Sequence, residues 1–340
     1  MKADDLLMAL TELEDDLIWE APEPLRKSTF HRRKLMALLT AAVIVSMLAL
    51  TAFASSDASF RLWEFFVERS DVVLSESQHQ FVEENAIPIQ NSQTRDGYTL
   101  TLDTAISDGI CTYIRFQLTA PEGTILDARS YDAREHTWLT STLGNKFPGS
   151  GGWDTVDDDP TDNTVTLILK LFHGWDEDNY DTIFDHTWKL RFDGLEATYL
   201  HNPWTPEMTI EEVPLSDGVW DFRITFPKQG NTEIEFISEP VTCSGNVNGF
   251  FKENISITSL RVRSLSAVLT FRHPMAEALN GEFETIYAIM KDGSMAKLNS
   301  ATGAPNHLTF HFDAPIVLAD IDHILLPNGT KLPLPPAQNN

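Results

Sequence analysis

The chain has 340 residues, 42% of them hydrophobic and 10% aromatic, which is enough apolar material for packed cores and argues against wholesale disorder. Its formal net charge is −25, and residues 1–34 carry six Lys/Arg against eight Asp/Glu, so the remainder holds a net of −23. A segment this negative repels phosphate backbones, which argues against nucleic-acid binding. Two cysteines, Cys111 and Cys243, are too few for a disulfide framework or a cysteine zinc site, and their separation places them in different domains.

Residues 1–34 read as a cytoplasmic tail with a short acidic amphipathic helix. Leu6, Leu10, Leu13 and Leu17 recur at helical spacing among Asp4, Asp5, Glu12, Asp15 and Asp16, and Pro22 and Pro24 end the run. A helix this short is marginal alone and gains stability by docking, so these leucines are candidate partner-binding residues. The alternative is a solvated tail, or leucines that pack on one another in a dimer.

Leu35–Ala54 contains no charge, amide, Gly or Pro over twenty residues, which at 1.5 Å per residue matches the roughly 30 Å hydrocarbon core. Nine of the twenty are Leu, Ile, Val or Phe, so insertion is favourable by a few kcal/mol. Arg26, Lys27, Arg32, Arg33 and Lys34 precede it, whereas only Arg61 and Arg69 lie close on its other side, which orients the N-terminus to the cytoplasm. The expectation is a single-pass membrane protein held in the bilayer through Leu35–Ala54. Cleavage after Ala52-Phe53-Ala54 as a signal peptide is the competing reading.

Residues 55–89 read as a juxtamembrane helical linker. Ser55-Ser56-Asp57 can cap a helix through Phe60, Leu62, Trp63, Phe66 and Val67, which either rests at the outer headgroups or docks onto the ectodomain. From Tyr98 the period becomes that of strands. Tyr98–Asp103 and Ile110–Thr119 flank the turn Ser107-Asp108-Gly109, and short strands come after them at Thr164–Phe172, His186–Phe192, Val219–Phe226, Thr232–Ile237, Asn254–Val262, Ala267–Phe271, Thr285–Met290, Leu308–Phe312 and Ile321–Leu326. Many short strands with Gly, Pro, Asn and Asp between them point to a mainly β chain with two β-sandwiches, and the Pro-rich stretch ending at Pro214 is the seam. The expected domains are 90–213 and 214–340.

The Leu-rich acidic tail, basic cluster and apolar stretch, with Asp96-Gly97-Tyr98-Thr-Leu-Thr-Leu and Ser107-Asp108-Gly109, resemble a set of Gram-positive surface proteins. Their ectodomain begins with the uncharacterised domain catalogued as unknown-function domain 4179. Lys291-Asp292-Gly293-Ser294, Phe312-Asp313-Ala314-Pro315-Ile316 and Ile321-Asp322-His323-Ile324 look like the end of a second domain that such proteins carry. The resemblance implies immunoglobulin-like sandwiches and a link to extracytoplasmic-function sigma factors, with the tail as an anti-sigma-like element. It implies no catalytic residues. The His-x3-Cys-x2-Cys signature of zinc-type anti-sigma domains is missing from residues 1–34, which hold only His31 and no cysteine.

Two acidic clusters, Asp154/Asp157/Asp158/Asp159/Asp162 and Asp176/Glu177/Asp178/Asp181, flank one strand and so sit at its opposite ends, which does not suit calcium. No metal or other cofactor is expected. His311 and Asp313 share a strand face, but no nucleophile elbow or metalloprotease motif accompanies them, so no catalytic residue is assigned. Trp188 and Trp220 fall in apolar strand patterns and are expected in cores. Trp153 and Trp175 fall in polar loops and are the candidate ligand-binding residues, because flat aromatic faces suit sugar rings. The expected function is a non-enzymatic membrane-anchored surface protein, a sensor or anti-sigma-like regulator that meets a cell-wall or surface ligand outside and a sigma factor inside. The alternative is an extracytoplasmic adhesive or glycan-binding module with no signalling role.

Overall fold

The computed structural model describes residues 61–335 except 71–72, 135–137, 142–148, 158, 174–182, 204, 206, 228–232, 237–239, 248–249, 273–285, 305 and 327–328. The stretch Leu35–Ala54 and the leucines of residues 1–34 lie outside the described residues. Among the described residues no helix is long and apolar enough to cross a membrane. One compact unit spans Phe53–Asn340. It is mainly β, and its two β bodies are joined by helix α1 (residues 61–69) and helix α2 (Glu76–Asn85).

The first body is built from β1 (Ile87–Arg95), β2 (Tyr98–Ser107), β3 (Cys111–Thr119), β4 (Ser130–Asp132), β5 (Trp138–Ser141), β6 (Gly149–Val156), β7 (Thr164–His173), β8 (Thr187–His201) and β9 (Thr209–Thr225). One antiparallel sheet has the order β1-β2-β3-β7-β6. In the other, β4 and β5 share one edge of β8 while β9 pairs with it as well. Ile114, Phe116, Leu167 and Leu169 of the first sheet meet Leu190, Phe192, Trp220 and Phe222 of the second in one core. The rings of Phe116 and Phe222 are 5.4 Å apart and those of Phe192 and Trp220 5.6 Å, so aromatic packing fills the space between the layers.

The seam expected at residues 213 and 214 falls inside β9, where Val213 pairs with Ala197 and Pro214 with Glu196. The first body therefore runs on to Phe226, which shares its core, and starts at Ile87 rather than residue 90. Among the described residues β9 pairs only with β8, and an edge strand tolerates the missing N–H of a proline.

The second body is built from β10 (Ile234–Glu235), β11 (Val241–Val247), β12 (Phe250–Val262), β13 (Ser266–Phe271), β14 (Ile286–Met290), β15 (Met295–Ala304), β16 (His307–Phe312), β17 (Ile321–Leu325) and β18 (Lys331–Pro333). Hydrogen bonding runs unbroken along β10-β12-β13-β16-β15-β14-β17-β18, with β11 also on β12, so one nine-stranded antiparallel sheet stands where two were expected. Leu260 near one end of the strand order and Ile324 near the other belong to one core, so the sheet curls over on itself. Register shifts between Ile257 and Ser259 on β12, and between Ser300 and Thr302 on β15, supply bends of the kind such curling needs.

The two outcomes left open for the linker helix resolve in favour of docking. Leu62, Phe65 and Phe66 are buried, and the i, i+3, i+4 spacing puts them on one face of α1. They pack on the outer face of the first sheet, against Ile106, Tyr113, Ile168 and Phe172, in a cluster that also holds Leu265 and Ala314 of the second body. Both faces of β3 and β7 are thus covered. That is why Cys111–Phe116 is buried at every position rather than alternately.

Candidate functional site: the junction of the two β bodies

The tight turn between β2 and β3 is where the bodies meet. Gly109 takes φ +92°, a conformation that glycine adopts at little cost, and this brings the backbone around the side chain of Asp108. Oδ1 of Asp108 accepts from the backbone N–H groups of Ile110 (3.0 Å) and Cys111 (2.8 Å), which fixes the turn. Oδ2 accepts from the second body, from the N–H of Leu265 (3.0 Å) and the hydroxyl of Ser266 (2.6 Å). Arg263 completes the contact by donating from Nη1 to the carbonyl of Asp108 (2.7 Å) and from Nε to Glu233 (2.8 Å). All of these groups except Glu233 are buried, so every bond but the one to Glu233 is shielded from water.

The helices add further ties. Ser75 and Gln78 form the capping box of α2. The Gln78 side chain also donates to the carbonyl of Pro315 (2.5 Å), and Ser77 donates to Asp320 (3.0 Å). Tyr113 in the first body donates its hydroxyl to the carbonyl of Phe312 in the second (3.2 Å). Burial pushes both the Tyr113 hydroxyl and the neighbouring Cys111 thiol well above their usual ranges, so both stay protonated. Cys111 is a free, buried cysteine, and a thiol in that state is a poor nucleophile.

A second polar group lies at the same junction. Asp154 on β6 is ion-paired with Arg69 of α1 (2.7 Å) and with Lys170 of β7 (2.5 Å). Arg69 also lies over the ring of Phe65, 5.5 Å from its centroid. His311 on β16 faces this group with its ring 5.1 Å from that of Phe172, and Asp313 accepts from Asn299 (2.8 Å). Beside the junction a cleft of about 280 Å³ opens between the α1–α2 connection and the turn that joins β14 to β15. Val73, Met290, Met295 and Ile316 line it together with the polar side chains of Gln78, Lys291, Asp292 and Asp320.

The residues singled out from sequence do not converge on this place. Leu6, Leu10, Leu13, Leu17 and Trp175 lie outside the described residues. Trp153 lies on strand β6, not in a loop, and its ring packs 5.5 Å from Phe116 and 5.4 Å from Phe192. Half-buried against the core, it offers less of a platform to a sugar. Trp188 and Trp220 are buried as expected, with the Trp188 indole donating to the carbonyl of Ile183 (2.8 Å). Of the first acidic cluster, Asp154 is ion-paired, while Asp159 and Asp162 cap their own loop through bonds to Thr161 and Thr164. Among the described residues no group of three or more His, Cys, Asp or Glu is placed to hold a metal. Asp108 appears in the sequence only as a turn residue. Its role across the junction has no sequence signal, because the partner side chain is 158 residues away.

No protein-family model and no curated protein matches the chain. Among solved structures it is similar to the crystal structure of a conserved domain protein from Bacillus anthracis. The match has 14% identity and a TM-score of 0.44, and covers 75% of this chain and 80% of that one.

Proposed function

We propose that the protein is a non-enzymatic, membrane-anchored surface protein with immunoglobulin-like β bodies outside, acting as a sensor or anti-sigma-like regulator through its N-terminal tail. The observation that carries this reading is the place of α1. It begins within seven residues of the apolar stretch Leu35–Ala54, and Leu62, Phe65 and Phe66 are buried in the cluster that both β bodies share. An anchor joined to the junction in this way responds to any ligand that alters how the bodies meet, whereas a loose tether would not. The tail leucines, Leu6 to Leu17, supply the inward contact in this scheme.

The test has two arms. Protease accessibility on intact cells should cut the β bodies and spare residues 1–34. A pull-down with residues 1–34 should recover a sigma factor, and deletion of that tail should change transcription. Recovery of no sigma factor together with unchanged transcription would remove the regulatory part of the reading.

A further inference from the structure

We propose that the junction is an acid-sensitive latch, in which protonation of His311 loosens the hold of α1 and the second body on the outer face of the first sheet. His311 belongs to the second body, where it pairs with Asn299 on β15 and Ser266 on β13. Its ring lies on Phe172 of the first body. Nδ1 of this imidazole is buried and, among the described residues, has no hydrogen-bond partner, which suits a neutral ring and not an imidazolium.

The charged groups that face it come from every element packed there. Lys170 on β7 and Arg69 on α1 are cations, and both are ion-paired with Asp154 on β6. Asp313, just beyond β16, accepts from Asn299. The two carboxylates are therefore engaged already, and they balance the two cations. A proton on His311 adds an uncompensated third positive charge beside Lys170. Burial first, and then Lys170, push the imidazole down to about 4 from its ordinary 6.5, while Asp313 and Asp154 oppose that shift.

Acid therefore works against the packed state. A base whose value is lower when packed costs nothing above its free value, and the packed state loses stability as pH falls from about 6.5 toward 4. The latch holds at neutral pH and weakens in acid, wherever in the cell the protein resides.

Amide hydrogen exchange on the full chain in detergent, corrected for the intrinsic pH dependence of exchange, tests this. Residues 61–69 and 313–317 should lose protection between pH 7.5 and 5.0 before Leu190 and Phe222 in the first core do. The opening equilibrium of wild type should rise about 30-fold more over that interval than that of His311→Gln. Parallel loss in wild type and variant would overturn the proposal. A titration of the His311 ring protons by NMR stands independently of whether that variant folds. It should show a midpoint well below 6.5 that moves upward in Lys170→Met, and a wild-type midpoint at 6.5 or above would overturn the proposal too.

Discussion

The hydroxyl of Ser266 donates to the carboxylate of Asp108 at 2.6 Å, across 158 residues of chain and between two separate β bodies. The other oxygen of that carboxylate holds its own turn together. One side chain thus sets both the shape of the turn and what the turn binds.

Replacing Asp108 should therefore cost more than a surface turn residue would. Asp108→Ala leaves four hydrogen-bond donors without their acceptor, and hydrogen bonds to a buried charge are worth about 1.5–3 kcal/mol each before relaxation. A loss of about 4 kcal/mol in chemical denaturation is expected, against about 1 kcal/mol for Ser266→Ala. Losses for the two variants that simply add in the double variant would show that the carboxylate does not bridge the bodies in solution.

Phe66 is fully buried between the first sheet and the second body, with its ring edge-on to Tyr113 at 5.1 Å. Phe66→Ala should cost about 3–5 kcal/mol, because little nearby can collapse into the space. Removing residues 55–70 should go further by uncovering Tyr113, Ile168 and Phe172, and dye binding to exposed apolar surface would report it.

Truncation distinguishes the observed boundary from one at Pro214. A fragment of residues 61–213 lacks Trp220, Phe222, Ile224 and Phe226, which belong to the first core, and should show no near-ultraviolet dichroism of packed aromatics. Extension to residue 227 should restore that signal. A folded 61–213 fragment would mean that the second half of β9 is dispensable.

Gly218 on β9 sits under the stem of Arg95, whose Nε donates to the carbonyl of Val219 (2.9 Å). A Cβ at position 218 would collide with Cβ and Cγ of Arg95, so Gly218→Ala should displace Arg95 and cost about 1–3 kcal/mol. Arg95→Gly, which removes both Cβ and Cγ, should relieve the collision, and thermal unfolding of the double variant checks whether the cost of Gly218→Ala shrinks in that background.

Cys111 should resist thiol reagents at neutral pH. Its thiol is buried and held well above the usual range, chiefly by that burial, so the reactive thiolate is scarce until the fold opens. In a Cys243→Ser background, labelling should track denaturant unfolding; rapid labelling of the native protein would contradict the packing described.

Much of the β architecture is legible in the sequence, because a strand with one face in a core advertises its period. The hairpin around Ser107-Asp108-Gly109 is an example, with Thr99 to Ser107 paired against Thr119 to Thr112. Strand β6 is not legible. Its Gly149-Ser-Gly-Gly opening reads as loop, yet Gly151 is there because a Cβ would come within 2.6 Å of the Lys170 carbonyl on the neighbouring strand. Pro214 misleads for a similar reason, since its strand-breaking character does not act on an edge. The docking of α1 is hidden in another way. Leu62, Phe65 and Phe66 suit a bilayer surface and a protein surface equally, and only Tyr113, Phe172 and Leu265 in three distant segments decide between them. The junction as a whole escapes sequence reading because its bonds join residues far apart in the chain.

The cluster around α1 also sets an order of events during synthesis. Phe66 leaves the ribosome first, and Ala314, which shares its cluster, emerges about 250 residues later. At about 5–20 residues per second that interval is roughly 12–50 s. Throughout it, the Leu-Phe-Phe face of α1 has only part of its covering. A growing chain with so persistent an apolar face is a natural client for a holding chaperone until its last strands arrive.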